Sequence, residues 1–326
     1  MQPRGGIALI VFTLLGWSSV PLFLKYFTGY IDAWTANGWR YGVSALFWAP
    51  VLMLGVRRGT LPQGLFRAAV VPSLFNIFAQ VCFAWAPYFI NPGLLTFMLR
   101  LQIVFVALGA YMLFPAERPV IRSRSYLFGL AIVFSGLLGL CFLGHQLPQG
   151  ATALGILLAI TSGVLYAGYS LSVRHFMHGV NPIHAFAAIS LYTAGGVVTV
   201  MLAIGERHGA VVLSLSGLQV VMLLASAFAG IAISHVTYYA ALARLGVALS
   251  SGVILLQPFL TSTASYFLFG ERLTAAQWLS GVAAVGGAVL LLNAQRRMLP
   301  PEVQTLRERS AVFNGSAVPY SPLPER

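Results

Sequence analysis

The chain has 326 residues, of which 58% are hydrophobic and only 8% are charged, and its formal net charge is +12. Soluble domains carry about 25% charged residues, so this composition excludes the ordinary soluble classes. The basic residues are scattered singly and in pairs between apolar runs, which excludes the basic face of a nucleic-acid-binding protein and predicts an integral membrane protein.

Ten apolar runs are long enough to cross a bilayer, which takes about 20 residues per helix. They lie at about 6–29, 32–56, 66–90, 92–115, 124–144, 152–176, 181–205, 217–243, 247–269 and 274–293. The sequence therefore predicts an all-α polytopic membrane protein with ten transmembrane helices. The polar, proline-rich stretch 296–326 predicts a disordered tail.

The charges between the spans predict the orientation of the chain. With the N-terminus inside, eleven arginines flank the inner ends of the spans, whereas Lys25, Arg207 and Arg272 are the basic residues on the outer side. Basic residues are enriched on the cytoplasmic side of membrane proteins. Both termini and the tail are therefore expected in the cytoplasm, with the chain in the inner membrane of a bacterial cell.

An internal repeat divides the spans into two sets of five. A shift of 155 residues places Gln102 on Gln257 and aligns the sequence YMLF (111–114) with YFLF (266–269), and a shift of 149 residues places Trp17 on Tyr166. Because five is odd, the second repeat must be inserted upside down. We expect a first repeat at 1–145 and an inverted one at 146–295, an architecture typical of secondary transporters.

Three stretches resemble the EamA-type branch of the drug/metabolite transporter superfamily: GWSSVPLFLK (16–25), WRY (39–41) and LLQPFLTSTASYFLFGERL (255–273). The family pattern has a proline partway along the ninth span and a Gly-Glu pair at its end, which Pro258 and Gly270–Glu271 match. The fourth span departs from the pattern, with Ile103 in place of the equivalent proline. The resemblance implies export or uptake of small metabolites through a cavity among spans 1, 3, 4, 6, 8 and 9.

Two arginines lie inside predicted spans, Arg100 in the fourth and Arg40 in the second. An intramembrane charge is costly and usually marks a substrate pathway or a paired group. No carboxylate is predicted at the same depth, so we expect Arg100, with Arg40, to offer its guanidinium to a carboxylate or phosphate of the substrate. The alternative is that each arginine bonds backbone carbonyls or lipid phosphates.

Other polar and aromatic residues within the predicted spans line up along single helical faces, and we expect them to complete the substrate site. They are Trp17, Asn76, Gln80, Tyr166, His235, Tyr238, Tyr239 and Gln257. Such side chains serve equally well as hydrogen bonds between helices or as interfacial anchors, so these two roles stay open. Proton coupling through His235 is a further alternative.

The sequence thus predicts a secondary transporter of a small anionic or zwitterionic metabolite, amino-acid-like or an organic acid, working by alternating access in the lipid bilayer. No catalytic, metal or cofactor motif is recognised, and we expect neither enzymatic activity nor a cofactor. The alternative function is an integral-membrane enzyme or flippase acting on lipid head groups. Glycine clusters in spans 5 and 10 suit either packing within the chain or a homodimer.

Overall fold

The computed structural model describes residues 3–115, 118–142, 151–245, 250 and 253–298. Within this part of the chain every regular element is helical and none is a strand. The all-helical fold class expected from the sequence is confirmed. Most of the tail predicted at 296–326 lies outside the described residues.

Thirteen helices are described. They are α1 (Pro3–Phe27), α2 (Ala33–Arg57), α3 (Leu65–Trp85), α4 (Pro92–Met98), α5 (Gln102–Leu113), α6 (Arg118–Ile121), α7 (Arg124–Phe142), α8 (Ala153–Phe176), α9 (Pro182–Ile204), α10 (Gly217–Ala227), α11 (Ser234–Leu245), α12 (Gln257–Phe269) and α13 (Ala275–Met298). Short 3-10 segments lie at Ala86–Tyr88, Leu99–Leu101 and Glu206–Ser214, and a π-helical segment at Phe228–Ile233.

Apolar side chains cover the outside of the molecule, and polar ones are buried within it. Leu46, Phe267 and Leu279 are 74%, 77% and 71% exposed, whereas Ser44 and Thr193 are fully buried. This distribution would leave large unfavourable patches in water, but it suits a chain whose surroundings are lipid. The chain is an integral membrane protein.

Six of the described helical stretches are long and apolar enough to cross a membrane. They are Gly5–Phe27, Leu65–Tyr88, Pro92–Leu113, Ala153–Phe176, Pro182–Ile204 and Gly217–Tyr238, and two shorter apolar stretches are Arg124–Leu140 and Ala275–Leu291. The sequence predicted ten spans. The eight stretches correspond to all the predicted spans except the second and the ninth. The second span is α2, which carries polar residues along its buried face. The ninth span is interrupted, so its helix α12 has 13 residues.

Helices from the first part of the chain pack against helices from the second part in a reciprocal pattern. α1 packs on α11 and α3 on α8, α2 packs on α9, α4 packs on α12, and α7 packs on α13. Each of these pairs joins one helix from residues 3–142 to one from residues 153–298. The surface between the two groups therefore runs through the centre of the molecule.

Three runs predicted as continuous spans are interrupted near their middle. The fourth has a 3-10 turn at Leu99–Leu101, the eighth has the π-helical segment at Phe228–Ile233, and the ninth has a turn at 255–256 just before Pro258. Pro258 lacks a backbone N–H and so favours a helix start at this point. Irregular backbone at membrane depth is tolerated where it is buried in protein or lines a cavity.

Glycines let α7 and α13 approach closely within the chain. A Cβ on Gly136 would lie 2.6 Å from backbone atoms of Ala284 and Ser280, and one on Gly287 would lie 2.7 Å from the carbonyl oxygen of Gly129. These glycines pack within the chain, which is one of the two uses expected for them. A homodimer through these helices stays a prediction, and it would use their other faces.

We predict different effects from the same substitution at neighbouring positions of α13. Gly286→Ala adds a Cβ with nothing within 4 Å and removes a helix cost of about 0.5–1 kcal/mol, so Tm should hold or rise. Gly287→Ala places its Cβ 2.7 Å from backbone atoms of Gly129 and Val133, which forces α7 and α13 apart and should lower Tm. Thermal unfolding in detergent measures both, and equal Tm values would contradict this packing.

Candidate functional site

A cavity of about 430 Å³ lies between the two groups of helices, at the level of the three interruptions. Each interruption contributes to its wall: Leu99 and Arg100 from the fourth run, Gly230 and Ile231 from the eighth, and Gln257 from the ninth. The remaining wall comes from α1, α2, α3, α5, α8 and α11 and from Ile254. Interrupted helices around a central cavity are typical of substrate sites in membrane transport proteins.

The structure brings nine of the ten sequence-predicted site residues together around this cavity. They are Trp17, Arg40, Asn76, Gln80, Arg100, Tyr166, His235, Tyr238 and Gln257. Tyr239 lies in α11, but its side chain is outside the described part of the structure. The cavity places these residues together, and their role in binding a substrate stays a prediction.

Arg100 is tied to the opposite half of the molecule. Its Nη2 donates to Oε1 of Gln257 at 2.7 Å, and the Nε2 of Gln257 donates to the carbonyl oxygen of Trp17 at 3.0 Å. The Nε of Arg100 lies 3.4 Å from the carbonyl oxygen of Thr96, at the start of the interruption. A single chain of hydrogen bonds therefore links the interrupted fourth and ninth runs to α1.

Arg40 is buried more deeply and is bonded less completely. Its side chain is 1% exposed, and its Nε donates to the hydroxyl of Ser226 at 3.0 Å. Neither Nη1 nor Nη2 has a hydrogen-bond partner among the residues that the structure describes. Buried polar groups are nearly always hydrogen-bonded, so this exception requires an explanation.

Aromatic rings form the wall near α1 and α11. The His235 ring stacks on Phe186, with ring centroids 4.6 Å apart, and meets Trp17 edge-on at 5.3 Å. Trp17 also packs against Tyr238, with centroids 4.9 Å apart. The Nδ1 of His235 lies 2.9 Å from the carbonyl oxygen of Ile231. A carbonyl only accepts, so Nδ1 carries the proton and, in the neutral ring, Nε2 is an acceptor.

The amide side chains on α3 and α5 hold neighbouring helices as well as lining the cavity. The Asn76 Nδ2 donates to the hydroxyl of Thr193 on α9 at 3.0 Å. The Gln102 Nε2 lies 3.3 Å from the carbonyl oxygen of Tyr166 and 3.2 Å from the hydroxyl of Ser170, both on α8. Asn76 therefore makes the hydrogen bond between helices that was the alternative to a role in substrate binding.

Sequence reasoning missed Tyr41, Gln102 and Tyr169 among the residues that line the cavity. Tyr41 follows Arg40 directly, and Tyr169 lies one helical turn after Tyr166. Gln102 aligns with Gln257 in the internal repeat, so the repeat contained the signal that would have found it. The cavity wall contains no acidic residue among those that the structure describes.

A buried carboxylate joins the two halves of the molecule. Gly270, with φ of 67°, ends α12 in a left-handed conformation. The carboxylate of the next residue, Glu271, then accepts the backbone N–H groups of Gly93 at 2.8 Å and Leu94 at 2.9 Å, at the start of α4. It is 4% exposed. The Gly-Glu pair of the sequence pattern is thus a helix cap supplied across the interface.

Comparison with known proteins identifies the chain. The family model for the EamA-like transporter family matches residues 4–142 and again residues 153–293. The chain belongs to this family. It is therefore a membrane transporter by family, of the drug/metabolite transporter superfamily, and the resemblance stated from its sequence is confirmed.

Two further comparisons give less detail about this EamA-family protein. No curated protein matches it. A solved crystal structure aligns with a TM-score of 0.59 and 17% sequence identity, over 92% of this chain and 100% of the other. At that identity the likeness shows the fold alone.

We predict that Glu271 is needed for stability. Glu271→Ala would leave two buried N–H groups without an acceptor, at about 1–3 kcal/mol each, and should lower Tm by several degrees. Glu206→Ala, at an exposed acidic residue, is the matched control and should leave Tm nearly unchanged. Equal small effects for the two variants in thermal unfolding would show that the cap contributes little.

Proposed function

We propose that this EamA-family transporter moves a small anionic or zwitterionic metabolite, amino-acid-like or an organic acid, by alternating access. The observation that carries the proposal is the content of the cavity: two guanidinium groups and, among the described residues of its wall, no carboxylate to neutralise them. In the low dielectric of such a site a like charge is repelled strongly and an opposite charge is favoured. A purely cationic substrate is disfavoured on the same ground.

The proposed architecture is ten spans in two inverted repeats, with the cavity between them. The two matches to the family model divide the chain into stretches of similar length. The packing is reciprocal, because α1 packs on α11 as α8 packs on α3, and α2 and α7 pack on the helices at the equivalent places in the second stretch. A repeat of five spans has its two ends on opposite sides of the membrane, so the second repeat is inverted relative to the first.

The proposed location is a bacterial inner membrane, and the distribution of the loop arginines supports an orientation with both termini in the cytoplasm. In that orientation the Glu271 cap closes the outer end of the interface. Alternating access would then require the contacts between α12 and α4 to part as the two repeats rock about the cavity.

The alternative function, an enzyme or flippase acting on lipid head groups, predicts a different product. An enzyme would alter its substrate chemically, and a flippase would move lipid between leaflets. A transporter of soluble metabolites moves an unaltered solute into a sealed compartment. No specific feature of the cavity favours the alternative.

Uptake by proteoliposomes tests the proposal. Vesicles that contain the purified protein are given radiolabelled carboxylates and amino acids, together with uncharged and cationic compounds of similar size. We expect anionic or zwitterionic compounds to enter unaltered, as shown by chromatography of the vesicle contents. Uptake of cations in preference, or recovery of a chemically altered compound, would contradict the proposal.

Charge reversal supplies the matched comparison for that assay. The double variant Arg40→Glu/Arg100→Glu makes the cavity anionic and should reduce uptake of the anion at least about tenfold. The double variant Arg57→Glu/Arg67→Glu makes the same change of charge at two exposed positions and should leave uptake unchanged. If both variants retain uptake, the guanidinium groups do not select the substrate.

A further inference from the structure

The two arginines in the cavity have different hydrogen-bond partners. Arg100 donates from Nη2 to the Gln257 side chain at 2.7 Å, so part of its guanidinium is already used to hold the interrupted helices together. Arg40 uses its Nε alone, toward Ser226, and both terminal nitrogens remain without a partner. The sequence favoured Arg100 as the substrate residue, and the hydrogen bonds favour Arg40.

The hydrogen bond of Arg40 fixes its guanidinium in one position. The Ser226 hydroxyl donates to the carbonyl oxygen of Leu223 at 2.7 Å and accepts from the Nε of Arg40 at 3.0 Å. Ser226 is fully buried. Because the hydroxyl already has an acceptor, its lone pair faces Arg40, and the guanidinium is held by its inner edge. Arg40 is one of the residues that line the cavity. Its Nη1 and Nη2 have almost no surface accessible to solvent in this state, so a ligand reaches them once the neighbouring side chains move apart.

A fixed guanidinium whose terminal nitrogens lack partners is energetically costly in the interior of a membrane protein. Burying a charge costs several kcal/mol unless hydrogen bonds and an opposite charge compensate. Proteins keep such strain where a ligand relieves it, because a preorganised group binds its ligand without first breaking other bonds.

We propose that Arg40, rather than Arg100, binds the carboxylate of the substrate, end-on through Nη1 and Nη2. This inference rests on the proposed function and names the residue that recognises the anion. Two parallel N–H···O bonds match the two oxygens of a carboxylate, whose spacing fits the guanidinium fork. The ligand class is therefore a carboxylic acid or amino acid. Tyr41 and Tyr166 line the same cavity as Arg40.

Gly230 lets the backbone of the eighth run pack closely against Val20, next to the guanidinium of Arg40. A Cβ at this position would lie 3.6 Å from the Nη2 of Arg40 and would press on Val20. Gly230 belongs to the π-helical segment Phe228–Ile233, an irregularity that is common at functional sites.

The first test needs no ligand. Arg40→Met replaces the unpartnered guanidinium by an apolar side chain of similar length, so we expect it to raise Tm. Arg100→Met removes the partner of Gln257 and is expected to lower Tm. A fall in Tm for Arg40→Met comparable with that for Arg100→Met would show that Arg40 is a structural residue and would overturn the inference.

The second test measures binding. Wild-type protein in detergent is titrated with succinate, L-lactate, L-alanine, inorganic phosphate and the uncharged propionamide, with the thermal shift as readout. For any carboxylate that binds, we expect Arg40→Met to raise Kd at least about tenfold. Arg40→Lys keeps the charge but loses the planar guanidinium, so we expect it to raise Kd by a smaller factor. Arg100→Met also removes a positive charge from the cavity wall, and it is expected to raise Kd clearly less than Arg40→Met does.

Failure of this inference is distinguishable from failure of the proposed function. If the wild type binds none of the carboxylates, the proposed anionic substrate is wrong, and the inference falls with it. If the wild type binds a carboxylate and Arg40→Met binds it equally well, or if the loss occurs with Arg100→Met instead, the proposed function stands and the role given to Arg40 is wrong. Tighter binding of phosphate than of every carboxylate would also contradict the ligand class.

Discussion

A bilayer offers no water to hydrogen-bond an interrupted helix or an unpaired charge, and this constraint organises the structure. The three interruptions lie at one level, and the arginines at membrane depth, Arg40 and Arg100, lie there too, around one cavity. Spread over the lipid-facing surface, each of these features would be costly by itself. Gathered between the two groups of helices, they share a single polar space, and the outer surface stays apolar.

The hydrogen bonds distinguish polar groups that hold helices together from Arg40, for which we propose a binding role. Arg100, Gln257 and Asn76 bond across helices and hold the wall of the cavity in place. Glu271 caps α4 from the other half of the molecule. Arg40 differs, because its hydrogen bond to Ser226 positions the guanidinium without satisfying it. A rigid wall with one unsatisfied cation is a suitable arrangement for recognising an anion.

The helical membrane fold could be predicted from the sequence, because the composition and the long apolar runs show that the chain is surrounded by lipid. Nine of the predicted site residues line the cavity because polar residues at membrane depth tend to face one another. The sequence did not predict the interruptions at Leu99–Leu101 and Phe228–Ile233, which no proline marks. It favoured Arg100 over Arg40 as the substrate residue, because the hydrogen bonds that distinguish the two arginines depend on which neighbour reaches each guanidinium. Such contacts come from tertiary packing, and a single sequence does not encode them locally.

The central claim is that an unneutralised cation in the cavity selects the substrate by charge. The most direct measurement compares the affinity of wild-type protein for the tightest-binding carboxylate with its affinity for the corresponding primary amide, which has nearly the same shape and no charge. The account predicts that the carboxylate binds at least about tenfold more tightly, since a charge-assisted bidentate pair is lost in the amide. Equal affinity for the two compounds, or tighter binding of the amide, would contradict it.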